Sequence, residues 1–290
     1  MLNLFEDTRA NPHFRKFEIG DVLFAEYTCP IEEKSIGIWT HTDYLVHVVS
    51  GRKSWHTTNG SWTAEAGQTL FFKKGAAVVE QFFDEDFCVL LFFIPDDFVR
   101  ESVKENAGIM KSPSSGIGVP LPAILVNNDP ALSIFFESMH SYFHAAEKPS
   151  EPLLKLKLRE LILSILMSRN NPELASYFLS LANNTAPRLR EIMESNFRYN
   201  LSLEDFARLC HRSLSSFKRD FQQQYREPPG KWLHRKRLEY AAVLLRAGEM
   251  SVSQIVFECG FEDMSHFSKA FKAKFGVPPT GFRSQADIRG

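Results

Sequence analysis

Between Phe17 and about Pro95, apolar and polar positions alternate or gather into short apolar blocks, in VLFAEYT, YLVHVVS, SWHTT, SWTAE, TLFFKK, AVVEQFF and FCVLLFFI. Side chains of a strand point to opposite faces with a period of two, so these blocks predict β-strands. Gly51, Gly67 and Gly75 punctuate them, and Asn59-Gly60 between SWHTT and SWTAE predicts a two-residue hairpin with positive φ at both central positions. Turn signals at this density point to an antiparallel sandwich or barrel. The segment KSPSSGIGVPLP, residues 111 to 122, is rich in Pro, Gly and Ser and reads as a linker.

Beyond it the period changes. Leu132, Phe135, Phe136, Met139 and Phe143 recur at helical spacing, as do Leu154, Leu158, Leu161, Ile162, Ile165 and Leu166, which predicts two amphipathic helices. Such stripes either enter the core of their own subunit or, on a connector between domains, pair with their copies in a second one. The expected organisation is a β-rich region over 1–125, a helical linker or dimerisation region over 126–185, and an all-α domain over 186–290.

The last of these contains a repeat. A shift of 50 superposes Ser215 on Ser265, Phe217 on Phe267, Arg219 on Lys269, Phe221 on Phe271, Tyr225 on Phe275 and Pro228-Pro229 on Pro278-Pro279. Upstream the shift is 49, matching Leu203, Phe206, Ala207 and Cys210 to Val252, Ile255, Val256 and Cys259, so the second copy carries one extra residue in its turn. Ser202 with Asp205 and Ser251 with Gln254 supply helix caps, their hydroxyls accepting from otherwise unpaired amides. Each copy reads as a helix-turn-helix.

The second helix of each copy has two faces. Leu214, Phe217, Phe221 and Tyr225 should be buried in the first, leaving Ser215, Ser216, Lys218, Arg219 and Gln222 outward; in the second, Phe267, Phe271 and Phe275 point in, and Ser265, His266, Ser268, Lys269 and Lys272 out. Small hydroxyls permit close approach to a groove, Arg and Lys can bond guanine O6 and N7, and Gln suits adenine. One such helix is equally well a solvated face; two copies with a cation at the same position and no acid at these outward places favour duplex DNA. Between them GKWLHRKRLEYAAVLLRAG, residues 230 to 248, predicts a helix with Trp232, Leu238, Ala241, Ala242 and Leu245 as packing stripe and Gly248 as its stop. About 18 residues span ~27 Å, near the ~34 Å between successive major-groove turns. Lys231, Arg235, Lys236 and Arg237 near its start either meet phosphates or form a solubilising patch.

Charge sharpens this division. The formal net charge of -1 conceals 18 Lys+Arg against 12 Asp+Glu from Ala186 onward and 16 against 23 before it, so only the rear half suits a polyanion. The four cysteines, Cys29, Cys88, Cys210 and Cys259, form no CxxC pair and read as buried free thiols of a reducing cytoplasm. The start, MLNLFEDTRANPHF, has acids where a signal peptide needs bases, and no stretch approaches the ~18 apolar residues of a membrane span, so a cytoplasmic protein without membrane contact is expected. His41, His47 and His56 lack the HxH spacing with a Glu and a later His by which imidazoles and a carboxylate of a β-barrel converge on one metal ion; GxSxG, P-loop and HExxH are absent. No metal, no cofactor and no enzymatic activity are expected.

Residues 186 to 285 resemble the DNA-binding domain of AraC/XylS-type transcription regulators, through SLEDFARLCHRSLSSFKRDFQQQYREPP, the connector with RLEYAAVLLRAG, and SVSQIVFECGFEDMSHFSKAFKAKFGVPPTGFR. The resemblance implies base-reading places at Ser215, Lys218 and Arg219 and at Ser265, Ser268 and Lys269. The chain departs from the commoner pattern at Lys269, often Arg in the family, and at Glu262, where a small capping residue is usual. Residues 17 to 100 look like the family's cupin-type regulatory domain, and AGQTLFFKKGAAVVEQ followed by LLFFIPDDF is similar to the sensor domain of ExsA-like activators of type III secretion. What the resemblance implies is a multidomain regulator: an N-terminal all-β cupin-like barrel or sandwich, a helical linker, and a C-terminal all-α domain with two helix-turn-helix units. It further implies an activator, commonly a homodimer, working with RNA polymerase and governed at the N-terminal domain by a small-molecule or protein effector. Tyr27, Trp39, His41, Tyr44 and Trp55 offer aromatic walls with polar tips for a small ligand, or are simply core.

Overall fold

Cys88–Ile94 is apolar at consecutive positions because its two faces meet two different cores. Val89, Leu91 and Phe93 join one cluster of buried side chains, and Leu90, Phe92 and Ile94 another. A strand covered on both faces favours apolar residues at consecutive positions.

The computed structural model describes residues 1–28, 33–83, 86–107, 121–183 and 189–287. Cys29 and most of the expected linker, residues 111–120, lie outside the described residues. Two compact units are present, Leu2–Ala186 and Pro187–Gly290. In the first, the strands are β1 (Leu2–Asn3), β2 (Arg15–Ile19), β3 (Val22–Thr28), β4 (Ser35–Thr40), β5 (Asp43–Ser50), β6 (Arg52–Thr57), β7 (Gly60–Glu65), β8 (Thr69–Phe72), β9 (Gly75–Gln81), β10 (Cys88–Ile94) and β11 (Ala123–Val126). Its helices are α1 (Leu4–Ala10), α2 (Asp96–Glu105), α3 (Pro130–His144), α4 (Glu151–Met167) and α5 (Pro172–Asn183). The strands form a five-stranded sheet, β1-β4-β9-β6-β7, and a six-stranded one, β11-β8-β5-β10-β3-β2. All pairings are antiparallel except β1 with β4.

Leu23, Ala25, Tyr27, Tyr44, Val46, Val48, Leu70 and Phe72 join Val89, Leu91 and Phe93 in the cluster shared with Trp55, Ala64, Ala77 and Val79 of the smaller sheet. On the other face, Phe24, Leu45, Phe71, Leu90 and Phe92 pack with Val99, Leu132, Phe135, Phe136, Met139, Leu158, Leu161, Ile162, Ile165 and Phe178 of α2 to α5. The two helical stripes are therefore core: their apolar faces are spent on the sheet, and residues 126–183 fold within the same compact unit as the strands. A buried polar network reinforces the join. Lys74 Nζ donates to both Asp96 carboxylate oxygens at 2.6 Å, the Lys74 amide donates to Asp43 Oδ1 at 2.8 Å, and the Tyr177 hydroxyl to Asp43 Oδ2 at 2.7 Å. Burial pushes the Asp43 carboxyl up, against the pull of the Lys74 ammonium.

The β6–β7 hairpin forms where expected but with another turn. Thr57 pairs with Gly60, so the loop is Thr58-Asn59, and neither has positive φ. Thr57 Oγ1 accepts the Asn59 amide at 3.1 Å and shapes the loop. Glycine is needed at position 60 for other reasons: its φ is 148°, and a Cβ would lie 3.1 Å from the Trp62 ring. Among the cysteines, Cys210 and Cys259 are buried, whereas Cys88 is only half-buried. Desolvation pushes the thiols of Cys88 and Cys259 up to about 11 and about 12, which keeps them protonated at neutral pH.

The second unit is helical: α6 (Leu189–Asn196), α7 (Leu203–Leu209), α8 (Leu214–Tyr225), α9 (Pro229–Ala247), α10 (Val252–Glu258), α11 (Met264–Phe275) and α12 (Pro279–Asp287). Both capping boxes form, Ser202 with Asp205 and Ser251 with Gln254. α9 serves two cores. Near its start Trp232 meets Phe221 and Tyr225 edge-on, at 5.7 and 5.4 Å between ring centroids, and Leu238, Ala241, Ala242 and Leu245 pack with Ile255, Val256, Phe267 and Phe271.

Candidate nucleic-acid interface

Each turn between paired helices needs one residue with positive φ. In the first unit it is His211 (φ 50°), in the second Gly260 (φ 74°), one step after the matched Cys210 and Cys259. Each following helix is capped by a side chain: Ser213 accepts the Ser216 amide at 3.2 Å, and Asp263 accepts the His266 amide at 2.6 Å. The departure noted at Glu262 thus leaves the cap intact, because the extra residue moves the capping role to Asp263. Glu262 instead accepts from Asn200 Nδ2. Gly260 is also a point of close approach: a Cβ there would lie 2.5 Å from the Arg198 carbonyl oxygen.

The apolar faces divide as periodicity requires. Phe217, Phe221, Phe267 and Phe271 are fully buried, while Leu214, Tyr225 and Phe275 are half-buried. Opposite them, Ser215, Lys218, Arg219 and Gln222 are exposed on α8, and Ser265, His266, Lys269 and Lys272 on α11. Ser216 and Ser268 are half-buried, and the Ser216 hydroxyl accepts from Ser213 Oγ at 3.1 Å within the cap. Arg219 reaches the neighbouring Asp220 at 3.4 Å with its side chain 76% exposed, so its guanidinium is accessible. Among the described residues, Lys218, Lys231, Lys269 and Lys272 make no salt bridge.

The cations at the start of α9 differ from one another. Lys231 is exposed. Arg235 is held by Glu227 at 2.6 Å and Glu239 at 3.3 Å, and Lys236 by Glu194 at 2.9 Å. Arg237, expected beside them on phosphates, is an internal clamp: Nε donates to the Phe197 carbonyl at 2.7 Å and Nη2 to the Tyr199 carbonyl at 2.6 Å. The carbonyls it fixes flank Arg198, whose own carbonyl crowds Gly260. Nothing in the RKR triplet distinguishes the clamp from its neighbours.

Comparison with known proteins agrees with this geometry. Residues 206–285 match the model of a helix-turn-helix domain, and residues 43–177 that of the ExsA N-terminal regulatory domain. The thermoregulatory protein LcrF of Yersinia pestis is 27% identical over 83% of this chain and 89% of its own. The HTH-type transcriptional regulator ExsA of Pseudomonas aeruginosa is 28% identical over 76% of this chain and 78% of its own. Over both of its units the chain is similar to the AraC/XylS-type transcription regulators. It is a DNA-binding regulator and not an enzyme. An apo ToxT variant from Vibrio cholerae shares 16% identity over 90% of this chain and 96% of its own, with a TM-score of 0.41.

In the N-terminal unit, Tyr27, Trp39, Tyr44 and Trp55 are buried and His41 is half-buried. Tyr44 stacks on Phe72 with centroids 5.1 Å apart, Trp55 meets the same ring at 5.1 Å, and Tyr27 packs on Phe14 at 4.6 Å. Trp39 and His41 are 6.3 Å apart, and His41 meets Phe5 at 5.3 Å. Tyr27, Tyr44 and Trp55 belong to the inter-sheet core, whereas His41 meets Phe5 of α1 and Trp39 neighbours His41. Among the described residues no helix is long and apolar enough to cross a membrane.

Proposed function

We propose that this regulator reads duplex DNA in a sequence-specific manner with α8 and α11 and activates transcription as a cytoplasmic homodimer working with RNA polymerase. The observation that carries the reading is the doubled arrangement: two capped helices of one unit, each exposing serine and cationic side chains, joined by a 19-residue α9 about 28 Å long. Ser215, Lys218, Arg219 and Gln222, with Ser265, His266, Lys269 and Lys272, take the base-reading positions; Lys231 takes a phosphate. Arg235 and Lys236 take phosphates only after exchanging their carboxylate partners.

Control comes from the N-terminal unit, by coupling between an effector there and the DNA-binding unit. A protein effector is favoured over a small molecule, because Tyr44 and Trp55 are packed on Phe72 inside the sandwich and the resemblance to ExsA-like sensor domains implies a protein partner. The test is selection of a duplex from a random pool by the full chain at stated salt, then comparison of selected and random duplexes with Arg219→Ala. Loss of about 1–3 kcal/mol of discrimination is expected if the arginine bonds guanine at two points. Equal weakening on both duplexes would refute base reading by Arg219.

A further inference from the structure

The N-terminal unit brings together three side chains that DNA binding does not use. His140 and His144 are one turn apart on α3 with ring centroids 4.7 Å apart, and Glu26 comes from β3. Both Nε2 atoms converge on the same carboxylate oxygen: Glu26 Oε1 lies 2.9 Å from His144 and 3.3 Å from His140. The three donor atoms lie within 4.8 Å of one another. In a tetrahedral zinc site with bonds of about 2.0–2.1 Å, donors stand about 3.3 Å apart, so small side-chain rotations suffice to enclose an ion.

We propose that Glu26, His140 and His144 form a binding site for a divalent transition-metal ion, zinc by ligand type, on the outer face of the six-stranded sheet. Two neutral imidazoles and a carboxylate are the ligand set of zinc sites that keep a fourth position for water. Glu26 is only 6% exposed, whereas the histidine side chains are 41% and 46% exposed, so an ion enters from solvent and meets a pre-placed buried anion. The site is distinct from the interior of the sandwich: Glu26 alternates with Ala25 and Tyr27, which face the inter-sheet core, and shares the side of Phe24, which packs on α3. A bound ion joins the last turn of α3 to β3.

Arg15 is the competitor. Its Nη1 donates to Glu26 Oε2 at 2.9 Å and lies 2.8 Å from His144 Nδ1. When Nε2 of a neutral imidazole holds a metal, Nδ1 carries the proton, and an arginine cannot accept it. Arg15 must therefore leave, which its 54% exposure allows.

The test uses the full chain without a histidine tag, stripped with chelator and titrated with Co2+ by visible absorption and with Zn2+ in competition with a chromophoric chelator. One saturable ion per chain is expected. Arg15→Ala should tighten it about five- to tenfold, the effect of removing one solvent-screened positive charge. The double variant His140→Ala/His144→Ala should weaken it by more than about a hundredfold. Because both histidines are half-exposed, that variant should melt like the parent without metal and lose the rise in melting temperature that Zn2+ gives the parent. Binding that survives in the double variant, or saturable binding absent from both the parent and Arg15→Ala, would overturn the proposal.

Discussion

Replacing Gly260 by alanine should damage the second helix-turn-helix unit far more than the same change at Gly276, although both have positive φ, 74° and 81°. At Gly276 a Cβ meets nothing within 4 Å, so the cost is that of a left-handed alanine, about 1–2 kcal/mol. At Gly260 the same cost applies, and the Cβ would also stand 2.5 Å from the Arg198 carbonyl oxygen and 3.2 Å from Arg237 Cζ. Neither neighbour yields easily, because Arg237 is hydrogen-bonded to the carbonyls on both sides of residue 198. Forcing them apart adds about 1–3 kcal/mol, the usual cost of overpacking. For a unit of about 100 residues, each kcal/mol lowers the melting temperature by about 4–8 °C. Calorimetry of the full chain measures this, the relevant transition being the one that duplex DNA raises. Gly260→Ala should melt about 4–24 °C below Gly276→Ala. Equal melting of the two variants would refute the close-approach argument and leave only the conformational one.

Other perturbations separate structural from DNA-contacting charges. Arg237→Ala should cost about 2–4 kcal/mol of stability by leaving two carbonyls without a charged donor, while the salt dependence of DNA binding by the folded fraction stays unchanged. Lys231→Ala should flatten the slope of log affinity against log salt by about 1, and Lys236→Ala by less, since Glu194 already neutralises that ammonium; an equal change would mean that the pair opens on DNA. Burial, helped by the charge of His140, holds His47 down to about 4 from its ordinary 6.5. Well above pH 6.5 the ring is neutral whether folded or not. As pH falls from 6.5 toward 4 the unfolded chain takes up a proton that the fold refuses, so stability should drop by about 1–3 kcal/mol over that window. Urea titrations of His47→Gln should show less of this loss.

The strands legible in sequence are those with a buried face or two. Arg15–Ile19 carries no strand signal of this kind because it is an edge strand rich in charge, and Ser35–Thr40 carries none because Gly37 interrupts its alternation. α2 shows no apolar period, because only Val99 and Val103 among its apolar residues are buried. The stripes on α3 and α4 were visible, but whether they met a sheet or a second subunit depended on the outer face of β10, which periodicity does not report. At the interface, the outward residues of α8 and α11 were legible because a solvent face and a core face alternate at 3.6 residues. Which cations were already neutralised was not: Glu194 is 42 residues from Lys236, and their meeting is a product of tertiary packing.

One helix lies in both cores of the DNA-binding unit, and this limits how the protein can change. Trp232 and Leu245 are fixed on a single rod, so inserting or deleting one residue between them turns one core by about 100° against the other. The connector's length is therefore the least mutable property of the unit. The exposed residues of α8 and α11 support neither core, so they can change without disturbing the packing that sets the phase between the two helices.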